Sequence, residues 1–376
     1  MTTRPRAKAD RHRTPAPSPD TAPDTAPDTA SAAAPRHYAV VGAGMAGVAC
    51  ARTLAQAGHR VTLFERGDGA GGRMASVDTA FGRFDSGAQY FTVRDARFAL
   101  ALETVPGLCR RWSANLVRVL DAHGRVAEAA LPSLESHWVA QPGMDSLVAQ
   151  WARPLGDSLV TGTQVTRIEP DALDAARWQL RTAGAGDSQR VYSGFDAVLL
   201  AVPPSRARAL LEDGKLSRTI SRQVEPVRIA PCWTLMIAFP QANQPTMSHL
   251  GPQWNAARST HHRVAWLARE SSKPGRERIE RWTLQASATW SQEHLRDDAP
   301  RIEAKLLRAF SEITGIHATP AHAQALCWTE AQTQVPVGQS HLWDAKARIG
   351  VAGDWCIGHR VEDAFVSGLS LALAAL

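Results

Sequence analysis

The chain has 376 residues, 44% of them apolar and 21% charged, with a net charge of +6. These values exclude a fibrous, collagen-like or wholly disordered protein and leave room for about two domains around a sizeable core. No run of ~18 apolar residues occurs, so no membrane-spanning helix is expected. The basic N-terminus runs into Pro, Asp and Thr where a secretory signal needs an apolar stretch.

Residues 1–36 hold Arg4, Arg6, Lys8, Arg11, Arg13 and Arg36 against Asp10, Asp20, Asp24 and Asp28, so the remaining charge is spread thinly. No basic stripe of the kind that binds nucleic acid is present. The five cysteines (Cys50, Cys109, Cys232, Cys327 and Cys356) form no C-x-x-C pair, which suits a reducing compartment, and no histidine spacing suits a metal. A cytoplasmic, metal-free protein is expected.

In chain order, residues 1–36 form a Pro/Asp/Thr/Ala-rich segment that repeats Asp-Thr-Ala-Pro and is expected to be a disordered tail. Tyr38 to Val41 then reads as a buried strand, Met45 to Ala57 as a helix closed by Gly58, and Arg60 to Phe64 as a second strand ending at Glu65. Trp178–Leu180 and Val191-Tyr192 flank Gly184-Ala185-Gly186-Asp187, a hairpin. Phe195 to Val202 is a near-continuous apolar run, hence a buried strand with an extended exit at Pro203-Pro204. The last forty residues give a strand over Arg348–Ala352, a turn at Gly353-Asp354 and a closing helix over Val361–Leu376.

These elements imply an α/β nucleotide domain assembled from residues 37–105, 140–205 and 340–376. A second domain, over 106–139 and 206–339, lies between those stretches.

Between the first strand and helix stands G-x-G-x-x-G, with Gly42, Gly44 and Gly47. In such a unit the first glycine permits the tight turn, the second lets a pyrophosphate approach the backbone, and the third lets helix and strand pack closely. The helix start at Gly44-Met45-Ala46 offers free N–H groups to phosphate. Glu65, eighteen residues past Gly47, is placed to accept from ribose hydroxyls. Gly184 and Gly186 lack a third glycine and a preceding buried strand, so they read as a turn.

Gly71-Gly72-Arg73 and the distant Gly353-Asp354 exceed what an NAD dehydrogenase needs. FAD explains both, because its flavin end requires a second, remote segment. The final helix start, around Arg360-Val361-Glu362, would aim its positive dipole end at the flavin. The Cys356 thiol beside this turn reads as inert, so the FAD is expected to be non-covalent.

The series from the first strand through Gly71-Gly72-Arg73, followed by Phe84-Asp85-Ser86-Gly87-Ala88-Gln89-Tyr90-Phe91, resembles the amine-oxidase-type flavoproteins. Pro142-Gly143-Met144, the run from Trp266 to Arg276, Trp290-Ser291 and the stretch Gly353–Gly368 resemble their bacterial renalase-like branch. The resemblance covers nearly all of 37–376. It implies a two-dinucleotide-binding (glutathione-reductase-type) FAD domain with an inserted α+β substrate domain built on an antiparallel sheet.

The same resemblance implies oxidation of 2- and 6-dihydro-NAD(P) to NAD(P)+ by hydride transfer to flavin N5, with dioxygen returning the flavin and giving hydrogen peroxide. At matching positions, Gly42, Gly44, Met45, Ala46, Gly47, Glu65 and Arg66 would hold FAD, as would Gly72, Arg73, Gln89, Val165, Gly353, Asp354, Arg360 and Val361. Val165 would meet adenine through its backbone. Where the family carries basic and aromatic neighbours near Trp328, this chain has Glu330.

Hydride transfer needs a close donor carbon, a dry pocket and a favourable field rather than a general base, so no catalytic residue is assigned. The substrate-pocket candidates are Gln89, Trp266, Arg269, Trp290 and Trp328. The alternative is a flavin amine oxidase or desaturase-type oxidation of another small molecule. Amine oxidases of this superfamily place a lysine near the flavin, and Lys273 is the one lysine inside a family-like motif. A protein that binds FAD without catalysis is the third reading.

Overall fold

The computed structural model describes residues 34–113, 118–128, 135–184, 189–243 and 254–376. The Asp-Thr-Ala-Pro repeat and residues 185–187 of the expected hairpin turn lie outside the described residues. Arg36, at the edge of the expected tail, reaches the far end of the chain by donating to the Ala375 carbonyl at 3.2 Å.

The strand His37–Val41 occupies the middle of a six-stranded sheet. Arg60–Phe64 lies beside it on one side and Ala197–Leu200 on the other, both parallel to it. Ile349–Val351 extends the sheet beyond Ala197–Leu200, Leu342–Asp344 forms one edge and Leu159-Val160 the other. Segments near residues 40, 200 and 350 therefore share one sheet.

Strand periodicity divides the core around this sheet. Tyr38 and Val40 face the helices Met45–Gln56, Asp145–Ala152 and Val361–Ala375. Ala39 and Val41 face the helices Pro204–Asp213 and Arg218–Val224 and the three-stranded sheet Thr163–Pro170, Trp178–Gly184 and Gln189–Phe195. Burying each large apolar side chain in these layers contributes about 1.5–3 kcal/mol.

The apolar run at 195–202 is divided differently from the sequence expectation. Phe195 ends the preceding strand, and the buried sheet strand is Ala197–Leu200. Pro203 is extended, as its pyrrolidine ring favours, but Pro204 then opens a helix where its missing N–H costs nothing. Asp354 likewise begins a short helix, Asp354–Ile357, immediately after the expected turn.

A seven-stranded sheet is ordered His322–Val335, Arg228–Phe239, Glu280–Ala286, Val264–Arg269, Ala256–Ser259, Arg118–Leu120 and Val126–Glu128. Its pairings are antiparallel except that between Ala256–Ser259 and Arg118–Leu120. One face carries Trp233, Leu235, Ile237, Trp282 and Leu284 against the amphipathic helix Ala299–Thr314. The opposite face carries Met236 and Ala238, which pack on Phe84.

Candidate functional site

At the C-terminal end of His37–Val41 the chain turns through Gly42, whose φ of +100° favours glycine. A Cβ there would lie 2.5 Å from the Ala201 carbonyl oxygen, and one on Gly47 would lie 1.8 Å from that of Gly42. The helix Met45–Gln56 has no side-chain cap and no acidic residue in its first turn, leaving its positive end unneutralised. Met45 and Ala46 are buried in that turn.

Gly72 has φ +56°, and a Cβ on it would come within 3.0 Å of the Gly44 Cα. The Gly71-Gly72-Arg73 segment thus lies directly against the glycine loop, fastened by the Gly71 N–H to the Ala43 carbonyl at 3.0 Å. These features suit a phosphate-bearing dinucleotide: open glycine backbone, an uncapped helix start and a nearby guanidinium.

The Glu65 carboxylate accepts from the Ala43 and Gly67 N–H groups, each at 2.8 Å. Backbone bonds from Glu65 to Val160 and from Thr163 to Glu65 bring the start of Thr163–Pro170 alongside. Val165 is therefore on the same flank, buried, with its carbonyl accepting from Arg206 at 2.5 Å. Arg66 is exposed beside them.

The remote segment arrives through Asp354, which forms a two-pronged ion pair with Arg73. Arg73 also donates to the Ala331 carbonyl at 3.3 Å, and Thr333 donates to Asp354 at 3.4 Å. Gly353 is held by its N–H to the Ser367 hydroxyl at 2.9 Å. On the closing helix, a Cβ at Gly368 would lie 2.0 Å from the Ala46 carbonyl, so first and last helices meet backbone to backbone.

The N-terminal turn of that closing helix differs electrostatically from the first one. Arg360 precedes Val361, but Glu362 and Asp363 both follow. Glu362 accepts from the Arg94 and Asp95 N–H groups at 2.7 and 3.2 Å, and Asp363 accepts from those of His359 and Arg360 at 3.1 and 3.0 Å. Two carboxylates therefore offset the positive dipole end expected there. Burial pushes the Cys356 thiol up to about 12, so it stays protonated near neutral pH.

Gln89 and Trp328 meet at the loop after the strand Gly82–Asp85. Trp328 donates to the Ser86 carbonyl at 2.9 Å, Gln89 donates to the Gly87 carbonyl at 3.0 Å, and Gln285 donates to the same carbonyl at 2.8 Å. Beside this loop the Tyr90 ring lies 5.5 Å from Trp266 and 4.3 Å, edge-on, from His137. Trp266 Nε1, His137 Nδ1 and Thr234 Oγ1 are buried with no hydrogen-bond partner among the described residues. Burial, with Arg258 nearby, lowers the pKa of His137 and keeps the ring neutral.

Two other pocket candidates stand elsewhere. Arg269 pairs with Glu280 at 2.8 Å and lies over Trp282. Trp290 packs in the core on the helix-covered face. Glu330 turns to Ser205, accepting from its hydroxyl at 2.6 Å.

Sequence reasoning did not single out the buried cluster behind the loop. Asp85 accepts from Ser76 and Met144 on one oxygen, and from Lys273 at 2.8 Å and Arg276 at 2.7 Å on the other. Lys273 also donates to Glu270 at 2.8 Å and to Gln89 at 3.2 Å. A signal for it existed: two cations three residues apart around a Pro-Gly turn, in a chain with only five lysines. Among the described residues no group of side chains suits a metal ion, and no helix is long and apolar enough to cross a membrane.

Comparison with known proteins finds a family model described as flavin containing amine oxidoreductase over residues 128–376, and one described as NAD(P)-binding Rossmann-like domain over residues 40–101. A phytoene dehydrogenase of Streptomyces griseus is 46% identical over 200 residues, 51% of this chain and 35% of that protein. An L-amino-acid oxidase of Bungarus fasciatus is 62% identical over 40 residues, 11% of this chain and 8% of that protein. The chain thus spans well under two thirds of either relative. A putrescine oxidase with redesigned cofactor binding superimposes with a TM-score of 0.67 at 13% identity, covering 90% of this chain and 98% of that one, a likeness of fold.

Proposed function

Because the chain belongs to the flavin containing amine oxidoreductase family, with FAD as cofactor, we propose that it is a renalase-like oxidase acting on dihydronicotinamide isomers. When bound, FAD supplies the hydride acceptor and passes the electrons on to dioxygen, giving hydrogen peroxide. In this reading residues 37–105, 140–205 and 340–376 hold the cofactor, and 106–139 with 206–339 cover the substrate.

The grip assigned to this chain has three parts. Gly42, Gly44 and Gly47, with the first turn of the following helix, receive the pyrophosphate. Each Glu65 carboxylate oxygen accepts one backbone N–H and keeps a second lone pair for a ribose hydroxyl, with Val165 on the adenine flank. Arg73 and Asp354 join the early and late segments.

The observation that carries the substrate reading is the wall formed by Tyr90, Trp266 and His137. It is aromatic, with the Trp266 ring inclined at 37° and the His137 ring at 75° to that of Tyr90, and it holds a neutral imidazole and a buried indole N–H with no partner among the described residues. Such a wall suits a planar, uncharged ring carrying a carboxamide acceptor, and it excludes water around a hydride donor. A hydride donor requires no proton removal first, so the absence of a charged base from this trio costs the reaction nothing.

A second reading, oxidation of an amine or desaturation of another small molecule, is favoured by the names of the relatives, a phytoene dehydrogenase and an L-amino-acid oxidase. Anaerobic mixing of the yellow protein with the position-2 and position-6 dihydronicotinamide isomers, beside a panel of primary amines and an acyclic polyene, separates the two. Bleaching by the dihydronicotinamides is the expected result; bleaching only by amines or the polyene overturns the substrate assignment.

A further inference from the structure

The buried cluster behind the Ser86–Gln89 loop holds two carboxylates and two cations, all with side chains at 0–1% exposure. Burying so many charges is expensive unless each is paired and its geometry held. Here the pairing is dense around one group: Asp85 receives four donors, from Ser76, Met144, Lys273 and Arg276. The Lys273 ammonium has three hydrogens and three acceptors, Asp85, Glu270 and the Gln89 side-chain carbonyl. No N–H of Lys273 is left over to meet a ligand.

Gln89 passes this arrangement forward. Its amide nitrogen donates to the Asp85 carbonyl and the Gly87 carbonyl. Gly87 cannot retreat, because a Cβ there would lie 2.0 Å from the Arg73 carbonyl oxygen, and the Ala88 N–H donates to that same oxygen at 2.9 Å. The loop is therefore a prop between the ionic cluster and the backbone of Arg73.

We propose that Lys273 and Gln89 are positioning residues which, through the Ser86–Ala88 loop, hold Arg73 in place to retain FAD, and that Lys273 does not act on the flavin itself. The proposal rests on placing FAD at the Gly44–Arg73–Asp354 end of the sheet.

Lys273→Met leaves Asp85 paired with Arg276, Ser76 and Met144, while Glu270, whose pKa burial already raises, takes up a proton. The fold is therefore expected to survive this substitution. Gln89→Met removes the link without touching a charge, and it carries the test alone if Lys273→Met fails to fold.

Release of FAD from the holoprotein is followed by the rise of free-flavin fluorescence on dilution. Reoxidation of the photoreduced flavin by dioxygen is followed across pH, with no organic substrate present. Each single variant is expected to release FAD about tenfold faster, and the double variant no faster than the quicker single, because both act through one contact. Reoxidation in Lys273→Met should keep the wild-type rate and pH profile.

Wild-type FAD release in Gln89→Met, multiplied effects in the double variant, or a tenfold loss of reoxidation rate in Lys273→Met would each overturn the proposal. Arg73→Ala serves as the control for the site: unchanged FAD release there refutes the placement of FAD. Faster release in Arg73→Ala with unchanged release in Gln89→Met refutes only the prop.

Discussion

Arg73 and Asp354 stand 281 positions apart, yet both oxygens of the Asp354 carboxylate face the two terminal nitrogens of the Arg73 guanidinium. The Asp354 side chain is nearly buried, at 7% exposure, whereas that of Arg73 keeps 30%. The pair thus joins a fixed acceptor on the late segment to a cation that still reaches the site.

Asp354→Asn is expected to lower stability by about 1–3 kcal/mol, since the charge is lost and the amide NH2 turns a donor toward one guanidinium nitrogen, leaving Arg73 one side-chain acceptor and the Ala331 carbonyl. Flavin content after purification should fall with it. Arg73→Lys should resemble Asp354→Asn in flavin content, because an ammonium cannot span both oxygens. Thermal melts and the ratio of flavin to protein absorbance check both; a fully loaded Arg73→Lys protein would remove the two-pronged geometry from the argument.

Glu65→Ala and Glu65→Gln separate two duties of one carboxylate. Alanine strands the Ala43 and Gly67 N–H groups and removes the acceptor proposed for ribose, so both melting temperature and flavin retention should drop. Glutamine keeps only one acceptor oxygen. It should lose less stability than alanine, within about 1 kcal/mol of wild type, while still binding FAD more weakly. Equal flavin retention in all three proteins would count against placing the ribose at Glu65.

The parts of this site legible in the sequence were those with a local reason. Gly42 and Gly47 are dictated by a turn and a close approach inside one βαβ unit, so spacing alone reveals them. Asp354 was legible only because a second glycine-acid pair had no use in a simpler dinucleotide fold. The partnership of Asp354 with Arg73 was not legible, since it depends on Ile349–Val351 entering the sheet beside Ala197–Leu200.

Trp266 and Trp290 show the limit from the other side. Trp266 stands on the strand Val264–Arg269, whose pleat turns it to the face beside Tyr90, whereas Trp290 stands in the short helix Ala288–Glu293 and packs into the core with the helix Ala299–Thr314. Asp85 was hidden because three of its four donors, Met144, Lys273 and Arg276, come from remote segments.

Gly368→Ala tests the contact between the first and last helices. The added methyl would sit 2.0 Å from the Ala46 carbonyl, and backbone cannot yield as a side-chain tip can. A loss of about 1–3 kcal/mol is expected from overpacking, with weaker flavin retention because Ala46 lies in the first turn beside the glycine loop. Gly58→Ala is the comparison: φ is +85° there but no atom lies within 4 Å of the added Cβ, so it should cost about 1 kcal/mol and leave flavin content alone. If the two variants matched in both readouts, the helices would not be as closely apposed as described.

The last prediction concerns acid. His37 accepts or donates to Thr62 at 3.0 Å, and burial together with the Arg60 charge lowers its pKa from 6.5 to about 4. Between those two values the unfolded chain binds a proton that the folded chain refuses, so stability falls as pH drops from 6.5 towards 4 and this contribution is fully present above 6.5. His137, His261, His322 and His341, each also shifted down by burial, act with the same sign. His37→Gln, which keeps a hydrogen-bonding tip without a titrating ring, should melt with a smaller difference between pH 7 and pH 5 than wild type. His37 is only half-buried, so the expected change is a partial flattening of that difference. A profile as steep as wild type would assign the acid sensitivity to the other four rings.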